Sequence, residues 1–286
     1  MPEFSFGQQL HDAITAHGPL CVGIDPHPFL LHEWGLPDSP SGVRDFGLRV
    51  VEAAVGRVAI VKPQVAFFER HGSSGYAALE TVMNAARAAG ILVIADAKRG
   101  DVGSTLSAYA QAWLTPGSAL EADAMTVSAF QGVGSLESAV ALATEHGKGL
   151  FVLAATSNPE AAAVQKATLR PGLQNAPTVA SSIVAEVIAL NAASAGDHGS
   201  FGVVLGATVA LSDYGISLDA LAAHPSTPIL APGFGHQGAA FAEIPQRFGR
   251  AACVIVSASR SILSAGPSGV DAAMDLAAKE IAECLA

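Results

Sequence analysis

Eight short apolar runs, each too short for a buried helix and each bounded by Gly, Pro or polar residues, recur from one end of the chain to the other. In order they are Leu20–Asp25, Val58–Lys62, Ile91–Asp96, Ala124–Ser128, Leu150–Thr156, Gly202–Ala207, Pro228–Pro232 and Cys253–Ala258. Runs this uniformly apolar suit parallel strands covered on both faces. Between them lie Ala-rich stretches of helical period, among them Val43–Val55, Ala77–Ala89, Ser135–Glu145, Pro177–Ala193 and Val270–Leu285. Such alternation leaves an open doubly wound sheet or a closed barrel, and a count of eight favours closure. The expected fold is α/β, a single (β/α)8 TIM barrel with long loops after strands 1 and 5. A length of 286 residues lets it form one domain over 1–286.

The two long connections, Pro26–Ser41 and Ser157–Ala176, fall on the face that holds the C-terminal ends of the strands, where barrel active sites are built. Composition narrows what such a site can bind. Fifteen basic against 25 acidic residues give a formal charge of −10, and no stretch gathers the Lys and Arg needed to neutralise a run of phosphates. That argues against nucleic acid. A small anion is still allowed, because a local pocket of N–H groups and one or two cations overrules a distant negative field. The opening Met1–Gly7 lacks a basic region followed by an apolar one, and no apolar run approaches the roughly 18 residues that span a bilayer. A cytoplasmic protein without membrane contact is expected.

Other chemistries find little support. Cys21, Cys253 and Cys284 are odd in number and widely spaced, and two lie in strand-like runs, as buried inert thiols do. The nine histidines form neither H-x-H nor H-E-x-x-H, and His27, between two prolines, is the only one near a strand end. No metal site is expected. A G-x-S-x-G nucleophile elbow is missing as well.

Charged strand ends are the informative feature. Strand one ends in Asp25, strand two in Lys62, and strand three runs out through Asp96-Ala97-Lys98-Arg99-Gly100-Asp101. While the backbone stays extended, Asp96 and Lys98 point the same way, inward at a barrel mouth. Asp101 follows over a glycine-permitted bend and Lys62 approaches from the neighbouring strand, giving an alternating set of two acids and two lysines. At about 4 Å and an effective dielectric near 20, each unlike contact is worth roughly 4 kcal/mol, enough to hold all four charged. A buried ion-pair network that merely closes the barrel is the bland alternative. Such networks are costly to desolvate and weak as stabilisers, so placement at the functional face favours catalysis. Schiff-base chemistry at Lys98 is disfavoured, because adjacent carboxylates raise a lysine pKa.

Downstream, Pro232-Gly233-Phe234-Gly235-His236-Gln237-Gly238 matches G-x-G-x-x-G between a strand and a helix. A dinucleotide fold would place this early and end the next strand in an acid, whereas here the next strand ends in Ser257-Ala258-Ser259-Arg260. In a barrel, the loops after strands seven and eight form the usual phosphate site. Gly233 and Gly235 then supply close approach to the anion, and Arg260 its fork of donors.

The run from Asp96 to Thr105 resembles the signature of orotidine 5′-phosphate decarboxylase, in its longer bacterial subgroup. Asp25, Lys62, Thr156-Ser157-Asn158-Pro159, Pro232–Gly238 and Arg260 also stand where that family has functional residues. The resemblance implies conversion of orotidine 5′-monophosphate to uridine 5′-monophosphate and carbon dioxide in pyrimidine nucleotide synthesis, with no metal or organic cofactor. Lys98 would give a proton to C6 of the ring, beside Asp96 at the departing carboxylate. Asp25 and Lys62 would hold the ribose hydroxyls, Ser157 the pyrimidine edge, and Gly235, Gln237 and Arg260 the phosphate. Asp101 and Thr105 would enter the neighbouring subunit's site, which implies a homodimer.

Two alternatives stay open. A relative in the same superfamily shares D-x-K-x-x-D but uses magnesium on a phosphorylated keto sugar; it would need another carboxylate near the end of strand two, where Lys62-Pro63-Gln64-Val65-Ala66 has none until Glu69. The other is a barrel that binds a phosphorylated ligand without turnover.

Overall fold

The computed structural model describes residues 5–169, 176–194, 196–236, 238–249 and 253–285. Its strands are β1 (Leu20–Ile24), β2 (Ile60–Pro63), β3 (Leu92–Arg99), β4 (Ala124–Val127), β5 (Gly149–Ala155), β6 (Phe201–Leu205), β7 (Ile229–Pro232) and β8 (Val254–Ala258). They are parallel and close in sequence order, β8 returning to β1 through the pairs Leu20–Val256, Cys21–Ser257 and Val22–Ala258. Every expected strand is present, and only β3 runs well past its expected end.

The first six helices are α1 (Phe6–His17), α2 (Pro28–Glu33), α3 (Pro40–Ala54), α4 (Val65–Glu69), α5 (Gly72–Ala88) and α6 (Gly103–Leu114). Then come α7 (Glu137–His146), α8 (Ala162–Gln165), α9 (Val179–Ala192), α10 (Leu218–Ala223), α11 (Ile244–Phe248), α12 (Arg260–Leu263) and α13 (Val270–Leu285). Local chemistry sets the long ones. Ser39 accepts a hydrogen bond from the Gly42 N–H and Pro40 occupies the first turn, so α3 starts three residues before the apolar period does. In α13 the buried residues Val270, Met274, Ala277 and Ile281 repeat at helical spacing, and each large one stabilises by about 1.5–3 kcal/mol on burial. The two long connections are less open than expected, since α2 lies in the first and α8 in the second.

Period-two alternation sorts the strands into files that run up the inside of the barrel. At the bottom, Cys21, Ile60, Ile94, Ala124, Phe151, Leu230 and Ile255 form an apolar layer. Phe6 and Leu10 of α1 close it from below. The Phe6 ring meets Phe151 edge-on at 6.0 Å and fills the space that a side chain on Gly149 would need. Two residues further along the same files stand Gly23, Lys62, Asp96, Thr126, Leu153 and Ser257, and two further again Asp25, Gln64, Lys98 and Ser259. The inward files of the barrel are thus apolar at the floor and polar at the mouth. A second, larger apolar body fills the space between the outer strand faces and the helices.

Candidate active site

The polar layers open into a cavity of about 400 Å³ at the C-terminal ends of the strands. Asp96 is its hub. One carboxylate oxygen, Oδ1, accepts from Lys98 Nζ at 2.6 Å and Thr126 Oγ1 at 2.9 Å. The other, Oδ2, accepts from Lys62 Nζ at 3.0 Å and Gln64 Nε2 at 2.8 Å. Burial pushes the Asp96 carboxyl upward, but Lys62 and Lys98 outweigh it and hold it well below the usual carboxylate range. Burial likewise pulls the Lys62 ammonium down, and Asp96, helped by Asp25, more than reverses this, so Lys62 stays charged beyond the ordinary lysine range. Beneath them Cys21 is pushed up to about 12, chiefly by burial, and is inert.

Lys98 differs from its neighbours. Its side chain is 47% exposed, against 8% for Lys62, so its ammonium faces the cavity while still bonded to Asp96. Its φ is +48°, the only positive value at a non-glycine residue among the described residues. For a residue with a Cβ this conformation costs about 1–2 kcal/mol. The register of β3 against β4 shifts between Ala95 and Arg99, and the Lys98 N–H donates to Thr126 Oγ1 at 2.9 Å, which holds the bulge in place. The expectation that Lys98 follows Asp96 along a regular extended strand is therefore corrected. The ammonium reaches Asp96 from a kinked strand end.

Asp101 is not brought into this set within one chain. Its Oδ1 accepts from the Val102 N–H at 2.8 Å, and the second acid acting on Lys62 is Asp25. Thr105 is exposed on α6, outside the cavity. Asp25, Ser157, Gly233 and Arg260 do line the cavity. Ser157 sits on a loop braced by Gln165 of α8, whose amide accepts from Thr156 N at 2.9 Å and donates to Thr156 Oγ1 at 3.0 Å. Gly235 has φ +72°, its N–H donates to the Ala239 carbonyl at 2.8 Å, and a side chain there would strike Ser261. Its N–H is therefore committed to shaping the loop. Gln237 lies outside the described residues.

Charge-based reading passed over several cavity residues: Gln64, Thr126, Ser257, Ser259 and His236. All but His236 stand at inward positions of the strand files, and period-two counting from Lys62 would have found Gln64. Asp25 Oδ1 and Ser259 Oγ are buried without a hydrogen-bond partner among the described residues. His27 starts α2 and packs edge-on against Phe67 at 4.3 Å.

Comparison with known proteins decides the family. Residues 18–275 match the model of the orotidine 5′-phosphate decarboxylase / HUMPS family. The chain belongs to that family. It is 51% identical over 258 residues to an orotidine 5′-phosphate decarboxylase of a Nocardioides species, covering 90% of this chain and 91% of that one. It is 50% identical to that of Streptomyces coelicolor over 266 residues, covering 92% and 91%. A crystal structure of a Streptomyces avermitilis protein described as an orotidine 5′-phosphate decarboxylase superposes with a TM-score of 0.91 at 48% identity, covering 100% of this chain and 97% of that one. Within the family, Gln64 carries weight. At the end of β2, where a metal-binding sugar enzyme would need a carboxylate, this decarboxylase-like chain has a neutral amide that donates to Asp96. Glu69, the first acid after it, is ion-paired to Arg99 at 3.1 Å and lies outside the cavity lining.

Proposed function

We propose that this chain, an orotidine 5′-phosphate decarboxylase by family, converts orotidine 5′-monophosphate to uridine 5′-monophosphate and carbon dioxide with Lys98 as the proton donor to C6. The observation that carries this is an ammonium bonded to a permanently ionised Asp96 and turned into the cavity by a strained backbone. Loss of carbon dioxide from C6 leaves a carbanion in the plane of the ring with no adjacent carbonyl to take up the charge. Stabilisation must come from a cation fixed in advance and a proton ready to move. Lys98 supplies both, and Asp96 opposes the substrate carboxylate by a few kcal/mol on a Coulomb estimate of about 4 kcal/mol per contact. Binding of the distant phosphate by Arg260 and the Gly233 loop offsets that repulsion. Asp25 and Lys62 hold the ribose and Ser157 the pyrimidine edge. No metal or organic cofactor takes part, and the enzyme acts in the cytoplasm as one catalytic domain.

The working unit is a homodimer. Val102, Tyr109 and Phe130 are exposed apolar side chains near Asp101 and Thr105 in the chain or in space, Phe130 at 83%, and the loops that carry Val102 and Phe130 touch where Ser128 N donates to the Arg99 carbonyl at 2.8 Å. Apposing this face on a second copy carries each chain's Asp101 and Thr105 to the partner's mouth.

Purified chain in EDTA will deplete the absorbance of orotidine 5′-monophosphate. A need for added magnesium favours the sugar-phosphate alternative, and a folded chain that binds but never turns over favours a binding protein. Mixing the inactive variants Lys98→Ala and Asp101→Ala tests the shared site, since a random mixture of dimers restores roughly a quarter of the sites. No recovery after subunit exchange places each site within one chain.

A further inference from the structure

We infer that Ser259 is a further specificity-determining residue, whose hydroxyl clamps one hydroxyl of the substrate's sugar against the Asp25 carboxylate above Gly23. The inference rests on the decarboxylase reading, which makes the ligand a ribonucleotide. A β-carbon built on Gly23 would lie 2.8 Å from Ser259 Cβ, 3.2 Å from Ser259 Oγ and 3.3 Å from Asp25 Oδ1. The two oxygens thus crowd around one point, yet neither bonds the other or any further atom among the described residues, although both are buried. One bridging oxygen at ordinary hydrogen-bond length fits that spacing.

The chemistry names the bridge. A carboxylate only accepts, and a serine hydroxyl both donates and accepts. A single group joining them must donate to Asp25 and either accept from Ser259 or donate to it, which a hydroxyl does and an ionised phosphate oxygen or a carbonyl does not. Two further observations free these atoms for a ligand. Ser259 stands at the start of α12, but its side chain makes no capping bond, so the hydroxyl has no structural duty there. Gly23 has no positive φ, so its backbone does not demand glycine, and space does. Its place in the inward file, between Cys21 below and Asp25 above, would otherwise be filled by a side chain. A nucleotide lacking that hydroxyl would leave two buried oxygens unpaired, which is how a polar site rejects an analogue strongly.

The test is calorimetric binding of uridine 5′-monophosphate and its 2′-deoxy and 3′-deoxy analogues to wild type and Ser259→Ala, with denaturant midpoints checked for both. Ser259→Ala should weaken the parent nucleotide about tenfold and leave one deoxy analogue within about twofold of its wild-type affinity. Ser259→Cys, of nearly the same shape but a poor hydrogen-bond partner, gives the same comparison if the alanine variant does not fold. Equal weakening of all three nucleotides would assign Ser259 to the phosphate or to the scaffold and overturn the inference, as would no weakening at all. Folded wild type that binds none of the three removes the decarboxylase reading itself, a separate outcome from either.

Discussion

The barrel holds two buried lysine–carboxylate networks, one at each end, and they look alike until their surroundings are compared. At the mouth, Lys62 bonds Asp96, which also takes Lys98. At the floor, Lys148 bonds Glu121 at 2.8 Å and Asp123 at 3.3 Å, with Arg87 on Glu121 at 2.7 Å. Lys62 and Lys148 are equally buried, with side chains 8% exposed. The floor network does structural work: Asp123 also takes the Val93 N–H and Glu121 the Gly117 N–H, so carboxylates tie down strand starts and a turn. It lines none of the cavity at the mouth and has no residue with positive φ. A buried ion pair is thus not by itself a catalytic signature. What sets the mouth apart is a third, half-exposed charge on a strained backbone facing a cavity, at the end of the barrel where reactions occur.

The largest effect expected from that contrast is on Lys98→Ala, which removes the cation and the proton together. It should lower kcat by at least about 10⁴-fold while leaving thermal stability little changed, because Asp96 keeps Lys62, Gln64 and Thr126 as partners and the Cβ that strains φ +48° is present in both residues. Comparable loss of stability and activity would mean the mouth network is structural after all. Lys148→Ala should do the reverse, leaving kcat within about twofold while destabilising by about 3–5 kcal/mol, since two buried carboxylates lose a cation and Arg87 covers only one of them. Calorimetric melting beside steady-state kinetics checks both. A floor variant with wild-type melting and crippled turnover would erase the distinction between the two ends. Arg260→Ala is smaller, raising KM about a hundredfold with kcat little changed for a phosphate contact made alike in ground and transition states. A fall confined to kcat would place Arg260 in the chemistry.

How much of this was legible in the sequence follows from the same contrast. The eight strands were readable because parallel strands covered on both faces are apolar throughout, and the ionisable residues that interrupt their ends stand out. Asp25, Lys62, Asp96 and Arg260 were visible for that reason. Gln64, Thr126 and Ser259 were not, because neutral polar residues at strand ends also serve as ordinary caps and turns. Only the closed barrel shows that all three line one cavity with the charged residues. The helix α1 stands ahead of the β/α alternation and outside its period, although Ser5 caps it and Phe6 and Leu10 are the plug of the floor. Nothing in a lysine announces left-handed backbone, so the bulge at Lys98 had no sequence signal. The placement of Asp101 was not legible, since spacing put it beside Lys98 and the Val102 N–H took it elsewhere.

The smallest effect expected concerns the sign of the field at the rim of the mouth, in a chain whose formal charge is −10. Burial foremost, then Arg260, His236 and Arg70, hold His27 below the ordinary histidine range, with Asp25 opposing them and the apolar rings of Phe29 and Phe67 packed beside it. A histidine depressed in the fold binds fewer protons than in the unfolded chain, so its neutral form contributes stability that is present above about pH 6.5 and lost as pH falls toward and below the folded value. The side chain is partly solvated, which screens the effect to no more than about 2 °C of melting temperature near pH 5. Melting curves of wild type and His27→Asn should therefore converge near pH 8 and separate on the acid side, with the wild type falling faster. A wild type that gains on acidification would make Asp25 outweigh burial and the neighbouring cations together, and parallel curves would mean that they cancel. That sign matters to the contrast between the two ends. A floor network balances its charges internally, whereas a mouth built for a phosphate ester keeps a local positive excess that only the ligand neutralises.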